Sequence, residues 1–280
     1  MPVSWISCAD FSRTGKMVID FLLRHSGWTL AGIIVFGGGC RLLRFHQELF
    51  LSRDGYAYVE AAAMIGHPGG WQLVLEKAAF SDMPPGFLWL LHNGIVCGFD
   101  GVLTGMFYEF VFSLILIGGI YWCLIGFYQK KSYALLGALL VATDPTLIRL
   151  GATILRDSPY CACFTVAVGA GAWAIQNRKY RYWGGFIAAA AAAILLRKEG
   201  VELLLILTIW FAWASIKSLL THHFKQLQFA ILSYLISVIG VLVITLPIQF
   251  YFQIHYQSQW QVIPLKRLLW LCEVFVSQIW

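Results

Sequence analysis

The stretch VLTGMFYEFVFSLILIGGIYWCLIGFY, residues 102–128, is long and apolar enough to cross a membrane as a helix. About 20 apolar residues are needed to cross the roughly 30 Å of hydrocarbon in a bilayer. The whole chain has the same character: 59% of its 280 residues are hydrophobic, 12% are charged, and the mean hydropathy is +0.72. This composition excludes a soluble globular protein and predicts an all-α polytopic membrane protein.

Apolar runs between charged residues predict about seven transmembrane helices. These runs are residues 28–43, 102–128, 132–143, 158–175, 183–196, 201–216 and 229–254. The third and fifth runs are short, so each is also compatible with a core-buried helix or a half-helix that stops inside the bilayer. Asp144-Pro145 ends the third run, because proline disfavours a helical conformation in the preceding residue and has no amide hydrogen to donate.

The chain, residues 1–280, is expected to form a single membrane domain. Residues 1–26 mix charged and apolar side chains, which predicts an amphipathic arm on the membrane face. Residues 44–101 predict a large first extracytoplasmic loop, with two or three amphipathic juxtamembrane helices joined by Gly/Pro turns. Residues 255–280 are expected to form an outer segment after the last span.

Three short basic loops indicate the orientation of the spans. Residues 130–131, 178–181 and 217–225 all lie on the cytoplasmic side if the N-terminus is cytoplasmic, as the positive-inside rule favours. Lys and Arg divide evenly between the two faces over the whole chain, so these short loops alone carry the assignment. All carboxylates except Asp10 and Asp20 then lie on or near the outer face. We therefore expect the chemistry at the outer face.

The charge and cysteine patterns exclude several classes of function. The net charge is +6, but the basic residues are scattered between apolar blocks, so nucleic acid is not an expected partner. The seven cysteines include no CxxC pair and fall mostly inside apolar runs, which favours neither a disulfide framework nor a zinc site. The sequence has no phosphate-binding glycine loop, nucleophile elbow or HExxH motif. No metal site is predicted, although a divalent cation as an assisting cofactor is left open.

Two polar motifs precede helices on the outer face. In LSRDGY, residues 51–56, Asp54 is either a functional carboxylate or the N-cap of the first loop helix, with Ser52 as a rival cap. In RDSP, residues 156–159, helix capping is one explanation: Pro159 would be the first helical residue and Ser158 or Asp157 the N-cap. This explanation does not account for Arg156. A further arginine, Arg149, lies on the same short connection.

A third motif, RKEG at residues 197–200, forms the outer turn between the fifth and sixth expected spans. Gly200 is expected to cap the helix end, where basic residues also interact favourably with the terminal carbonyls. Two cations and the acids Glu199 and Glu202 are costly at this depth unless they are paired or face a wet cavity. His67 is a weaker signal, since a lone histidine in a loop is more often not a ligand.

Taken in order, these motifs resemble the GT-C superfamily of membrane glycosyltransferases, in particular the branch that contains dolichyl-phosphate-mannose protein mannosyltransferases and bacterial lipid A aminoarabinose transferases. The resemblance covers about residues 28–205. The matching elements, in chain order, are Arg-Asp-Gly-Tyr at 53–56, His67-Pro68 with Pro84-Pro85, Asp144-Pro145, Arg156-Asp157 and the turn at 197–200.

This sequence departs from the family pattern in two respects. His67-Pro68 and Pro84-Pro85 have fifteen residues between them, whereas the family has an adjacent His-Pro-Pro-type element. Many family members also continue beyond the position of Trp280, so the chain corresponds to the shared seven-span module. Neither the sugar nor the acceptor follows from that module.

The resemblance implies transfer of a sugar from a polyprenyl-phosphate-linked donor to a lipid, glycan or protein acceptor on the extracytoplasmic face, usually with inversion. Carboxylates and cations suit this chemistry, because a carboxylate can take the proton of the acceptor hydroxyl and fixed cations can stabilise the departing phosphate. The candidate catalytic residues are Asp54 as general base and Asp157 and Glu199 as orienting partners. The candidate substrate-binding residues are Arg53, Tyr56, His67, Arg149, Arg156, Arg197 and Lys198, with Arg197 foremost among the cations.

Two other classes of function remain as alternatives, a lipid-linked substrate transporter or flippase and a non-catalytic membrane assembly protein. A transporter should have paired broken helices in two related halves, and no such repeat is visible. In every case the partners include membrane lipids. The expected location is the cell (inner) membrane of a bacterium or the endoplasmic reticulum of a eukaryote.

Overall fold

A computed structural model describes the chain at residues 20–47, 52–77, 80–81, 83–221, 224–258 and 260. Most of the expected N-terminal arm and of the outer segment after residue 255 lie outside this part of the chain. Eleven α-helices lie wholly within it. They are α1 Ser26–Gln47, α2 Arg53–Ile65, α3 Gly70–Glu76, α4 Gly86–Val96, α5 Gly101–Tyr128, α6 Lys131–Thr143, α7 Pro145–Leu150, α8 Asp157–Asn177, α9 Arg181–Leu196, α10 Glu202–Leu220 and α11 Phe224–Tyr256, with a 3-10 helix at Lys198–Val201.

Five helical segments of the described chain are long and apolar enough to cross a membrane, so the protein is an integral multi-pass membrane protein. They are Ser26–Gln47, Gly101–Tyr128, Asp157–Asn177, Lys198–Leu220 and Phe224–Tyr256. The other two expected spans form α6 and α9, with 13 and 16 residues. At 1.5 Å per residue these helices extend only about 20 and 24 Å. The described chain thus has five helical segments of full spanning length and three shorter apolar helices, α4, α6 and α9.

The long helices pack around a central pair formed by α5 and α8. α6 packs against α5, α9 packs against the other side of α8, and α11 contacts both α9 and α10. Small residues allow these close approaches: a Cβ added at Gly169 of α8 would lie 2.8 Å from the Trp122 ring of α5. Such glycine and alanine contacts are typical of helices that associate inside membranes.

The predicted helix end at Asp144-Pro145 is confirmed, and Asp144 also caps the helix that follows. α6 ends at Thr143, and the Asp144 side chain accepts a hydrogen bond from the Leu147 amide (2.8 Å), so it caps α7, whose first residue is Pro145. Proline suits this first position, because its missing N–H would have no partner within the helix.

The connections between the long helices gather at two ends of the bundle. At one end the Gln176 side chain donates to the Phe127 carbonyl (3.0 Å), and Arg178 and Lys217 line one cavity. We call this the basic end; it comprises residues 128–131, 178–181, 217–221 and 224–226. At the opposite end lie α2–α4 and the connections that precede α8 and α10. We call this the acidic end; it comprises residues 52–77, 80–81, 83–101, 144–157 and 197–202.

The helices expected between residues 44 and 101 are present as α2, α3 and α4, but α4 does not lie exposed on a surface. Phe87, Leu88 and Leu91 are fully buried in a cluster shared with α2. α4 also packs against α5 and α9. A Cβ added at Gly86 would lie only 2.4 Å from the Leu195 carbonyl oxygen, so the first turn of α4 is pressed against the end of α9. The loop is therefore part of the protein core at the acidic end.

Candidate active site

The first turn of α2 exposes Asp54. Ser52 is the N-cap, since its hydroxyl accepts a hydrogen bond from the Gly55 amide (3.0 Å). The interpretation of Asp54 as the cap is therefore wrong: Asp54 is the second residue of the helix, and its side chain is exposed. A carboxylate in a first helical turn is favoured by the helix dipole, yet this one remains open to a ligand.

Gly55 fixes this turn against the connection that precedes α8. A Cβ added at Gly55 would lie 3.0 Å from the Ile154 carbonyl oxygen, closer than nine in ten real Cβ contacts. Ile154 is buried and lies three residues before Asp157. The close approach thus places the exposed Asp54 near the start of α8.

The start of α8 differs from the expectation for residues 156–159. The helix begins at Asp157, with Arg156 in the cap position and no side-chain capping bond, so neither Ser158 nor Asp157 is the N-cap and Pro159 is the third helical residue. The Asp157 carboxylate instead accepts a hydrogen bond from Nη1 of Arg197. Asp157 is thus used for an ion pair between two helices.

Arg197 joins two carboxylates at the end of α9. Its Nε donates to Oε2 of Glu199 (3.2 Å), while Nη1 contacts Asp157. The exposed fraction of the side chain is 30% for Arg197, 19% for Glu199 and 27% for Asp157. The guanidinium carbon also lies 5.6 Å from the centre of the Tyr160 ring, a cation–π distance. The cluster is half-buried and accessible to a ligand.

The ionisation of Arg197 is secured by its partners. Burial lowers its pKa, but the negative charges of Asp157 and Glu199 outweigh burial, and the net pKa lies above its usual value. Arg197 is therefore a permanent cation at the boundary of the bundle. Two carboxylates around one guanidinium hold it in a fixed orientation.

Gly200 acts by close packing and is not the expected cap of the helix end, since Arg197 is the C-cap of α9. Arg197 ends α9 in an extended conformation (φ −150°), and residues 198–201 form a 3-10 turn. A Cβ at Gly200 would lie 2.5 Å from the Ile194 nitrogen, so only glycine lets the turn fold back over α9. This turn positions Glu199 beside Arg197 and leaves Lys198 half-buried.

Tyr58 of α2, which the sequence did not single out as a site residue, lies among the charges of the site. Its side chain is buried, and burial raises the pKa of its phenol. Arg156 and Arg197 lower that pKa, whereas Asp157 and Asp54 raise it further, so all four groups act on one hydroxyl. Tyr58 therefore keeps its proton, and its O–H can donate a hydrogen bond to a ligand in this site.

Glu109 of α5 is a second residue that the sequence analysis missed. Its side chain is fully buried, and Oε1 accepts a hydrogen bond from the Leu155 amide (3.3 Å). Oε2 has no hydrogen-bond partner among the described residues, and the Ser158 side chain lies beside the carboxylate. The sequence does contain an indication of this residue, because an isolated carboxylate inside an apolar span is energetically costly and is usually functional.

Three other candidate residues lie around α2. Arg53 and Tyr56 are exposed in the same turn as Asp54. His67 is exposed in the turn between α2 and α3, at the far end of a 13-residue helix. That length corresponds to about 20 Å. The structure thus gathers Arg53 and Tyr56 at the Asp54 turn but keeps His67 away from it.

Arg149 lies in a different cleft from Arg197. It lines a groove of about 570 Å³ between α1 and α7, together with Arg44. Beneath the groove, the buried Arg41 donates to the carbonyl oxygens of Gly37 (2.9 Å), Ala142 and Val141 (both 3.3 Å). Arg156 therefore lies near Tyr58 and Arg197, whereas Arg149, also predicted to bind substrate, lies apart from them.

An apolar cleft of about 510 Å³ adjoins the end of α9. It is lined by Leu195, by Pro85, Gly86 and Trp89 from the start of α4, and by Pro247, Ile248, Tyr251 and Phe252 from α11. Leu195, which lines this cleft, lies two residues before Arg197 in the chain. A charged cluster and an apolar cleft are therefore neighbours along the chain at this end of the bundle.

Within the described chain, no group of three or more His, Cys, Asp or Glu side chains is arranged to hold a metal ion. The cysteines described there are free: Cys40, Cys97, Cys123, Cys161 and Cys163.

Comparison with known proteins identifies a family. The family model described as dolichyl-phosphate-mannose-protein mannosyltransferase matches residues 82–268, well over half of the chain. This range includes Asp157, Arg197 and Glu199 but not Asp54. Searches of curated proteins and of solved structures gave no match. The chain therefore belongs to the dolichyl-phosphate-mannose-protein mannosyltransferase family, and it is a membrane glycosyltransferase of the GT-C type that uses a lipid-phosphate-linked sugar.

Proposed function

We propose that this glycosyltransferase moves mannose from a polyprenyl-phosphate carrier to an acceptor hydroxyl at the acidic end of the bundle. One observation carries the proposal: the Asp157–Arg197–Glu199 cluster lies at the end of α9, where Leu195, two residues before Arg197, lines an apolar cleft. A sugar phosphate on a lipid has the same two parts, an anionic head and an apolar tail. The family description supports mannose as the sugar.

The reaction exchanges one bond to the anomeric carbon for another. The acceptor oxygen attacks the anomeric carbon from the face opposite the phosphate, which gives inversion. The bond between that carbon and the phosphate oxygen breaks, and its electron pair leaves with the polyprenyl phosphate. Asp54 takes the acceptor proton, a role that suits an exposed carboxylate with no capping function.

The cations of the site stabilise the departing phosphate. Charge grows on the phosphate oxygens as the bond breaks, and preorganised donors in a site of low dielectric stabilise it more than water does. Arg197 is fixed by its two carboxylates, and its planar guanidinium has further N–H groups to offer. Arg156 and Lys198 supply positive charge nearby, and Tyr58 offers a neutral O–H donor.

The apolar cleft is the place for the first isoprene units of the carrier. Its lining is almost wholly apolar, and Leu195 and Gly86 connect it to the turn that bears Arg197. A tail between α4, α9 and α11 would leave its phosphate at the edge of the hydrocarbon. Arg53 and Tyr56 then lie on the acceptor side, in the exposed first turn of α2.

The same proposal fixes a topology. The five long helical segments cross the membrane in a single domain together with α6 and α9, and these two short helices span a locally thinned bilayer. The basic end is cytoplasmic, by the positive-inside rule, and the acidic end is extracytoplasmic. A chain without its seven cysteines, given one cysteine at Glu76 or at Lys130, tests this with an impermeant thiol reagent. Labelling of both positions from the same side would contradict the topology.

The function is tested in cells from which the gene has been deleted. Mass spectrometry of glycoproteins and glycolipids should find one class of mannose-bearing molecule lost and restored by the wild-type gene. A transporter would instead leave the carrier sugar accumulated on one face of the membrane while transferase activity persisted in detergent extracts. An unchanged mannose profile under conditions where the protein is expressed would contradict the proposal.

A further inference from the structure

We propose that a cavity at the basic end binds the phosphate of an anionic membrane phospholipid. The cavity, of about 210 Å³, lies where α8, α10 and α11 meet. Arg178, Lys217, Ser218 and Gln226 contribute its polar lining. It is at the opposite end of the bundle from Arg197, so this inference does not depend on the proposed reaction.

Two cations from different helices converge on this cavity. Arg178 ends α8 in a left-handed conformation (φ 51°), and Lys217 lies in the last turn of α10. The sequence has no Asp or Glu between Asp157 and Glu199, and none between Glu202 and Glu273. No carboxylate lines the cavity among the described residues. Two like charges at one cavity repel each other, and a bound anion removes that repulsion.

The neutral lining suits a phosphate group. The Ser218 hydroxyl and the Gln226 amide can donate to phosphate oxygens that the two cations leave unoccupied. Arginine holds a phosphate through two parallel hydrogen bonds, whereas lysine provides a compact charge. The four groups together supply more donors than a single chloride needs, and they match the several oxygens of a phosphate ester.

The surroundings favour a phosphate that is attached to a lipid. Trp210 and Trp213 line the cavity, and Trp213 is 66% exposed. Tryptophan is enriched where a membrane protein meets the headgroup layer. Ile209, Trp213 and Ile216 lie on one face of α10 and are all exposed, so an apolar stripe leads from the hydrocarbon to the cavity. A glycerophospholipid would lay its acyl chains along this stripe.

The test uses the purified full-length protein in neutral detergent and two matched double variants. Arg178→Gln with Lys217→Gln removes both cavity cations. Lys179→Gln with Lys225→Gln removes the same charge from exposed residues of the same end that do not line the cavity. Native mass spectrometry follows binding of phosphatidylglycerol and, as the zwitterionic comparison, phosphatidylcholine. Thermal unfolding of each variant confirms that it is folded.

The wild-type protein should bind one phosphatidylglycerol in preference to phosphatidylcholine. The cavity variant should bind it about thirtyfold more weakly, the loss expected for two cations near an anionic lipid, and the control variant should change by less than about threefold. Equal losses of phosphatidylglycerol affinity in both variants would overturn the proposal. They would mean that the overall charge of the basic end, and not the cavity, attracts the lipid. Lack of a phosphatidylglycerol preference in the wild-type protein would overturn it without any variant. Displacement of the lipid by millimolar inorganic phosphate would also overturn it, since the site would then bind free phosphate.

Discussion

Arg197 at the end of α9 and Asp157 at the start of α8 form an ion pair although they are 40 residues apart in the chain. The two helices are antiparallel and joined at the basic end, so this pair closes the hairpin at the acidic end. Glu199 makes the pair a triad. In our account the triad holds the guanidinium still while it stabilises the phosphate of the donor.

Arg197→Lys should lower kcat about tenfold to a hundredfold although the charge is kept. A lysine cannot reach both carboxylates at once, and one hydrogen bond between charged groups contributes about 1.5–3 kcal/mol. Arg197→Ala should lower kcat further. Initial rates in membranes with equal amounts of each variant measure the effect. Equal activity of the arginine and lysine forms would mean that Arg197 provides charge alone.

Asp54→Asn should lower kcat about 10²–10⁴-fold, the usual cost of losing a general base. The change should leave helix α2 intact, because Ser52 and not Asp54 is its cap. Asp100→Asn is the matched control: Asp100 is an exposed carboxylate at the same end that caps α5 through the Val102 and Leu103 amides (both 2.9 Å). Asparagine also caps helices, so this control should retain activity. A fully active Asp54→Asn protein would remove Asp54 from the mechanism.

Glu109→Gln should stay active, and Glu109→Leu should not. The glutamine oxygen can still accept from the Leu155 amide, whereas leucine leaves that amide without its acceptor, at a cost of about 1–3 kcal/mol. We expect the leucine variant to displace the start of α8 and lower kcat with little change in KM. The rescue by glutamine distinguishes this positioning role from proton transfer, because an amide cannot exchange a proton. An inactive but stable glutamine variant would assign Glu109 to the chemistry.

Gly200→Ala should lower both the melting temperature and the activity. The new Cβ would collide with the α9 backbone at Ile194, and overpacking of this kind costs about 1–3 kcal/mol. Gly184→Ala, in helix α9 itself, is the control because nothing lies within 4 Å of its added Cβ. That change should be neutral or stabilising, since alanine favours helices over glycine by about 1 kcal/mol. Indistinguishable melting curves for the two variants would show that the turn at Gly200 is not tightly packed.

The apolar runs of the sequence were sufficient to predict the membrane class and the positions of the long helices. Length and hydropathy are local properties, so residues 102–128 and 229–254 could be assigned directly. The helices α2–α4 could be predicted in the same way, because the Gly/Pro turns that separate them are also recognised from local sequence. It could not tell whether α4 lies on the surface or in the core, because that depends on contacts with α5 and α9.

The site was only partly predictable, because its geometry comes from distant contacts. Arg197, Glu199 and Asp157 were identified as charged residues at helix ends, but no spacing rule pairs residues 40 positions apart. The Ser52 cap and the Gly200 packing depend on backbone conformations that several local patterns allow. Tyr58 looked like an ordinary apolar position of an amphipathic helix, since only the fold brings charges around its hydroxyl.

The donor requirement is the most direct test of the account. The purified protein in lipid nanodiscs would be given an acceptor-containing membrane extract and either polyprenyl-phosphate mannose or a nucleotide-linked mannose, both radiolabelled. We expect mannose transfer from the polyprenyl donor, with one polyprenyl phosphate released for each mannose transferred, and none from the nucleotide donor. Transfer from the nucleotide donor in the complete absence of carrier lipid would contradict the account.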